Sequence, residues 1–349
     1  MKSSGLRRIV KGEKLAQVAV IVGAMSFSLA GQTNLTGAGA TFPAPIYQKW
    51  FSEYQSIGNV QINYQPNGSG GGIKGVTEGT VDFGASDMPM TDAQLKAFKD
   101  KNGYDVLLFP TVLGAAVPTY NIPGVSKELN FTPDVLAGIF LGKITQWNDP
   151  QIAKANPGVN LPGDKIVVVH RSDGSGTTFC WTDYLSKVSP EWKSKVGKNT
   201  SVDWPTGLGA KGSDGVTGVI KQQKGALGYV ELIYAVKNHL PYGKVQNKSG
   251  EFLKADLASV AAAAAASKEM PPDLRVSITD EQGKGVYPIS TYTWLLVPSK
   301  YSDSAKGKAM VGFLKWAITT GQNSVESLDY ARLPAQVVAL EEKQITQIK

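Results

Sequence analysis

Apolar positions along this chain switch repeatedly between two periods. In residues 45–55, Ile46, Tyr47, Trp50, Phe51 and Tyr54 recur at helical spacing and predict an amphipathic helix. Residues 60–64 (VQINY) alternate with period two and predict a strand, and residues 81–86 predict a shorter one. Thr91-Asp92-Ala93-Gln94 has the Thr-x-x-Gln form of a capping box before a helix carrying Leu95 and Phe98. Residues 106–109 and 114–120 predict two buried strands, and Thr132-Pro133 starts a helix by the cap-then-proline rule. Residues 166–169 predict a strand that runs into a glycine loop, with a helix from Ser175 onward. Residues 228–232 and 293–297 supply the last strands, and the alanine run 261–266 lies in a plain packing helix over 256–267. Strands alternating with helices imply an α/β class with mainly parallel sheets. At 349 residues the chain exceeds what one core usually serves, so two domains are expected.

The first thirty residues stand apart. Lys2, Arg7, Arg8, Lys11 and Lys14 precede an apolar run over 15–30 that ends in Ser-Leu-Ala, the form of a secretory signal peptide cut before Gly31. The run is shorter than a membrane span and contains Gln17 and Ser26. The segment holds five of the 36 basic residues and one of the 29 acidic ones, so the net charge of +7 falls to +3 without it. No basic cluster in the remainder suits nucleic acid. One cysteine, Cys180, excludes an internal disulfide framework, and two histidines make a histidine metal cluster improbable. No cofactor or metal is expected, and Cys180 reads as a small buried hydrophobe.

Three glycine-rich loops carry the chemistry. Residues 36–43 (TGAGATFP) precede the Trp50 helix; residues 67–72 (NGSGGG) follow the Val60 strand; residues 171–178 (RSDGSGTT) follow the 166–169 strand. Each sets Gly beside Ser or Thr at a helix start, where unpaired N–H groups and the positive dipole end favour an anion. Singly such a turn is usually an ordinary cap, but three with Arg171 beside the third point to one shared oxyanion. Walker A, dinucleotide and Gly-x-Ser-x-Gly patterns are all missing from these loops. Asp87 ends the 81–86 strand, where ligands of open α/β sheets lie. Beside an anion a carboxylate repels, unless the anion carries a proton to donate. Phosphate does so near neutral pH and sulfate does not.

LTGAGATFPAP (35–45), VDFGASD (81–87), FPT (109–111), DGSGTT (173–178), LGAKGSDGV (208–216), GYVE (228–231) and LDYARLP (328–334) together resemble the periplasmic phosphate-binding proteins of bacterial ABC-type phosphate uptake, across essentially the whole mature chain. The resemblance implies a two-lobed periplasmic-binding-protein fold, type II-like, each lobe a mainly parallel sheet flanked by helices, joined by two hinge crossovers. Lobe 1 is then residues 31–120 plus 289–349 and lobe 2 residues 121–288, with crossings near Tyr120 and Asn121 and near residues 288–291. It also implies phosphate held without metal by Thr41, Phe42, Ser69, Asp87, Arg171, Ser175, Gly176 and Thr177, with Asp173 orienting Arg171. Gly70 stands where relatives carry a second Ser, and His170 is a departure read as a strand-end residue at the cleft rim. The expected partners are inorganic phosphate and an ABC permease, and the expected form a periplasmic monomer that is not an enzyme. The rival readings are a receptor for sulfate or molybdate, against which Asp87 argues, and a secreted phosphatase or esterase using Ser69 or Ser175, which lacks an evident base.

Overall fold

The computed structural model describes Met1, residues 31–267 and residues 269–349. Apart from Met1, the expected leader lies outside the described residues. The described chain opens as β1 (Thr33–Gly39), α1 (Ala44–Gly58), β2 (Val60–Gln65), α2 (Ser69–Glu78), β3 (Phe83–Ser86), α3 (Asp92–Asn102) and β4 (Val106–Tyr120). It continues through β5 (Asn130–Phe131), α4 (Pro133–Phe140), α5 (Pro150–Ala155), β6 (Val167–Arg171), α6 (Gly176–Val188), α7 (Pro190–Lys195), β7 (Leu208–Ala210), α8 (Gly212–Gln222) and β8 (Ala226–Glu231). Next come α9 (Leu232–Lys237), β9 (Lys244–Gln246), β10 (Phe252–Leu253), α10 (Leu257–Ala266), β11 (Ser290–Pro298) and α11 (Ser304–Ala317). A 3-10 segment (Thr320–Leu328) and α12 (Ala335–Ile345) end it.

Eight strands form one sheet in the order β2-β1-β3-β11-β4-β8-β6-β7, and β10-β9-β5 make a small second sheet. Within the large sheet, β1 runs parallel to β2 and β3, and β6 parallel to β7 and β8. The joining strands β11 and β4 run antiparallel to their neighbours. The class is α/β and mainly parallel, as the alternating periods predict.

β4 organises the rest. All 15 of its residues are buried. It pairs with β11 through Ala115 and with β8 from Ala116, so one strand serves both halves of the sheet. Two strands were expected here, over 106–109 and 114–120, with Pro110 between them. The strand survives it through a bulge: Thr293 lies opposite Val112 and Trp294 opposite Pro110, leaving Thr111 as the extra residue. The Thr111 hydroxyl donates to the Thr293 carbonyl at 3.2 Å and lies 2.8 Å from the Tyr47 hydroxyl.

The helical stripe of α1 is buried as expected. Phe51 meets Phe313 of α11 at 5.3 Å between ring centroids, and Tyr54 meets Trp316 at 5.5 Å. Full burial of a large apolar side chain such as Trp50 contributes about 2–3 kcal/mol. Both predicted caps on α3 and α4 are present, Thr91 as a full capping box and Thr132 accepting from the Val135 N–H. The first glycine run departs from expectation. Residues 36–39 form part of strand β1, and the loop is only residues 40–43. Glycine is required because a Cβ on Gly37 would sit 2.2 Å from the Phe83 ring, and one on Gly39, at φ +142°, 2.1 Å from the Ala85 carbonyl oxygen.

Candidate functional site

Three strand ends and three helix starts meet at one buried point. After β1, the Ala40 N–H donates to the Ala85 carbonyl at 2.9 Å and the chain turns through Thr41 and Phe42 into α1. Tyr234 and Tyr330 donate hydroxyls to the Thr41 and Phe42 carbonyls, each at 2.6 Å, so the loop is held from two sides. After β2, Gly68 at φ +94° donates its N–H to the Gly39 carbonyl at 2.8 Å, and Ser69 opens α2. β6 ends at Arg171, and Ser175 caps α6 by accepting from the Thr178 N–H at 3.1 Å.

The loops are bonded to one another. The Gly70 N–H donates to the Gly174 carbonyl at 2.8 Å. The Ser69 hydroxyl oxygen accepts the N–H of Gly176 at 2.9 Å and that of Asp87 at 3.2 Å. Arg171 Nη1 donates to Thr41 Oγ1 at 3.1 Å. A Cβ on Gly176 would lie 2.6 Å from both Asp87 Cβ and Ser69 Oγ, which is why that position has no side chain. Thr41, Phe42, Ser69, Asp87, Arg171, Ser175, Gly176, Thr177 and Asp173 thus all come together, and only Asp173 is more than marginally exposed.

Arg171 and Asp87 set the electrostatics. Arg171 Nε donates to Asp173 Oδ1 at 2.7 Å and Nη2 to Oδ2, a two-pronged pairing that fixes the guanidinium plane. The Gly212 N–H adds a bond to Asp173 Oδ1 at 2.9 Å. Burial alone would raise the Asp173 carboxyl, but the bonds and charge of Arg171 outweigh it and hold the carboxyl below its usual range. Asp87 goes the other way. Burial pushes its carboxyl up to about 7, against the Thr293 hydroxyl bond, the charge of Arg171 and the nearby Thr177. Thr293 Oγ1 donates to Asp87 Oδ1 at 2.8 Å. Thr177 Oγ1 lies close enough to favour the carboxylate, yet it is buried and makes no hydrogen bond of ordinary geometry.

Several participants escaped the sequence reading. The Ser213 hydroxyl, at the start of α8, lies 2.8 Å from Thr41 Oγ1. The Gly212-Ser213 pair at a helix start repeats the signal of the other three loops and was available. Thr293 and Tyr234 sit in apolar surroundings and give no signal, while Tyr229 and Tyr330 lie in the GYVE and LDYARLP stretches without being singled out. The Tyr229 hydroxyl accepts from the Arg171 N–H at 3.3 Å and lies 2.6 Å from Thr178 Oγ1. His170 is half-buried, its ring stacked on Trp204 at 4.8 Å, and burial lowers its pKa.

Amides at three helix starts, hydroxyls and a fixed guanidinium around one carboxyl acceptor make a set of donors for a small, protonated oxyanion. Ser69 and Ser175 already accept backbone N–H groups, and neither has a histidine or lysine bonded to it among the described residues. No group of three His, Cys, Asp or Glu among the described residues is placed to hold a metal ion. No described helix is long and apolar enough to cross a membrane.

A fold of this kind, closed around buried oxyanion donors, is that of a solute-binding receptor, and residues 28–320 match the PBP superfamily domain. The phosphate-binding protein PstS of Pasteurella multocida is 44% identical over 323 residues, covering 92% of each chain. That of Methanocaldococcus jannaschii is 40% identical over 333 residues, covering 89% of this chain and 85% of its own. A crystal structure of the phosphate-binding protein from Stenotrophomonas maltophilia shares the fold with a TM-score of 0.68 at 20% identity, over 88% of this chain and 92% of that one. The chain belongs to the PstS family of phosphate-binding proteins within the PBP superfamily.

Proposed function

We propose that this chain is the exported receptor of a phosphate importer. It closes two lobes on one inorganic phosphate and yields the ion to an ABC permease. The observation that carries this reading is the meeting of Thr41, Ser69, Arg171 and Gly176 around Asp87. The backbone N–H groups of Phe42 and Gly176 and the hydroxyls of Thr41, Ser69, Ser175 and Thr177 serve as donors to the phosphate oxygens, and Arg171 gives two parallel bonds. Asp87 accepts the proton that phosphate still carries near neutral pH. Sulfate brings no such proton and would leave a buried charged acceptor unpaired, at a cost of about 1–3 kcal/mol or more.

The lobes of this reading are residues 31–115 with 290–349, and residues 116–289. The partner change of β4 after Ala115 and the start of β11 at Ser290 support crossings there, the first a few residues before Tyr120 and Asn121, where the family resemblance puts it, and the second within the 288–291 it implies. Residues 1–30 act as the cleaved leader, the site of action is the periplasm, and the receptor works as a monomer without metal, cofactor or turnover. The PstS relatives are named phosphate-binding proteins, which supports phosphate as the ligand delivered to that permease. Equilibrium dialysis of residues 31–349 against radiolabelled phosphate tests the reading: one ion retained per chain and displaced by phosphate but not by sulfate is the expected result, and no retention by folded protein would overturn it.

A further inference from the structure

The segment between α10 and β11 carries none of the motifs above, yet it is bonded to both halves of the molecule. Residues 271–280 contain no helix or strand. The first part is held to the β3–β11 side. The Leu274 carbonyl accepts from Trp294 Nε1 of β11 at 2.8 Å. Arg275 Nη1 donates to the Met90 carbonyl at 3.0 Å and to Asp92 Oδ1 at 2.7 Å, while Asp273 holds its Nε at 2.9 Å and its Nη2 at 2.8 Å. Met90 lies on the stretch that leaves Asp87, between β3 and α3.

The second part is held to α6. Ser277 and Thr279 both donate their hydroxyls to Asp183 Oδ2 at 2.5 Å, and Lys187 Nζ donates to the Thr279 carbonyl at 2.8 Å. Asp183 is fully buried on α6, the helix whose first turn carries Gly176 and Thr177. Leu274 and Asp280 bracket the span, and both adopt left-handed backbone, at φ +58° and +55°. Leu274 is completely buried, so a bulky residue holds this unfavourable conformation only because its surroundings fix it there.

We propose that residues 271–280 are a third tether across the two lobes and that Arg275 is a positioning residue that sets how firmly they stay closed. The proposal rests on the two-lobed phosphate reading. Arg275 touches none of the three anion loops. It acts by making bonds, from the strap to Met90 and Asp92, that link one lobe to the other. Contacts of that kind shift the open–closed equilibrium only if closing forms them, and any shift appears directly in affinity and release. The Asp92 ion pair contributes little, since the Asp92 side chain is 89% exposed. The charge-assisted bond to the partly buried Met90 carbonyl is the stronger of the two.

The test combines stopped-flow phosphate binding with X-ray scattering of the phosphate-free protein, on residues 31–349 and the variants Arg275→Ala and Asp92→Asn. Arg275→Ala is expected to weaken phosphate binding roughly 3- to 20-fold, mainly through faster release, and to enlarge the radius of gyration of the phosphate-free protein. Asp92→Asn, which removes only the exposed pair, is expected to change affinity less than about threefold, and not at all at high salt. Unchanged release and unchanged scattering in Arg275→Ala would overturn the proposal. So would a fall in the unfolding midpoint of the phosphate-free protein that accounts for the whole affinity loss, because Arg275 would then support the fold alone. Failure of the wild-type protein to bind phosphate would sink the functional reading instead, and the scattering arm would still decide the tether.

Discussion

Replacing Asp87 by Asn removes a charge from a buried point of the site and leaves its shape almost intact. Thr293 donates to Asp87 Oδ1, and the amide oxygen of Asn can accept the same bond. Burial raises the Asp87 carboxyl from its ordinary 3.8 to about 7. The folded protein therefore keeps a proton that the unfolded chain releases across that window. Stability then falls as pH rises from about 4 to 7, and stays reduced above it. Some three pH units at 1.36 kcal/mol each give a penalty of about 4 kcal/mol at pH 8, an upper figure because a buried site can relax around its charge. The Asn side chain carries no charge at any pH and escapes this penalty. Urea unfolding of phosphate-free wild-type and Asp87→Asn protein at pH 4 and pH 8 measures it. The variant should be about equal to wild type at pH 4 and 2–4 kcal/mol more stable at pH 8. Equal stability at both pH values would refute the claim that burial works against this carboxylate.

Other consequences follow from the same geometry. Gly176→Ala puts a methyl group 2.6 Å from Asp87 Cβ and Ser69 Oγ, so phosphate affinity should fall at least tenfold in a fluorescence titration, with a loss of about 1–3 kcal/mol in the stability of the phosphate-free protein from overpacking. Arg171→Ala leaves Asp173 without its partner and phosphate without its two-pronged donor; calorimetry should show a loss of about 2–5 kcal/mol in binding, and a loss under tenfold would make Arg171 peripheral. Glu341 is fully buried with neither carboxyl oxygen hydrogen-bonded, and burial raises its pKa well above the usual range. Its proton, too, is kept on folding, so Glu341→Gln should stabilise the protein on the order of 1 kcal/mol at neutral pH, with the gain vanishing in acid, as read by thermal unfolding at two pH values.

Much of this architecture is legible in the sequence because the relevant signals are local. The α1 stripe, the Thr91 and Thr132 caps and the glycine-rich helix starts at Ser69 and Ser175 each depend on residues a few positions apart. What local reading misses depends on partners far along the chain. β4 reads as two strands because Pro110 breaks the local pattern, and only the bulge opposite β11 lets it continue. Gly37 and Gly39 read as loop because their function is to admit Phe83 and the Ala85 backbone of β3. Thr293 and Tyr234 look like ordinary polar residues in buried elements until the fold brings them, across 206 and 193 positions, to Asp87 and Thr41. The strap at 271–280 alternates Leu274, Val276 and Ile278 with polar residues like a strand, yet it forms none, and its character lies in its bonds to β11, Met90 and α6.

The most direct measurement is calorimetry on residues 31–349, unfolded and refolded to remove carried-over ligand, then titrated with phosphate and with sulfate at pH 8, where the Asp87 carboxyl is mostly ionised and phosphate still carries one proton. The account predicts tight one-to-one binding of phosphate and no heat with sulfate, because an ionised Asp87 accepts a hydrogen bond from the proton that phosphate keeps and can only repel sulfate. Comparable binding of both anions, or silence with both in folded protein, would contradict it.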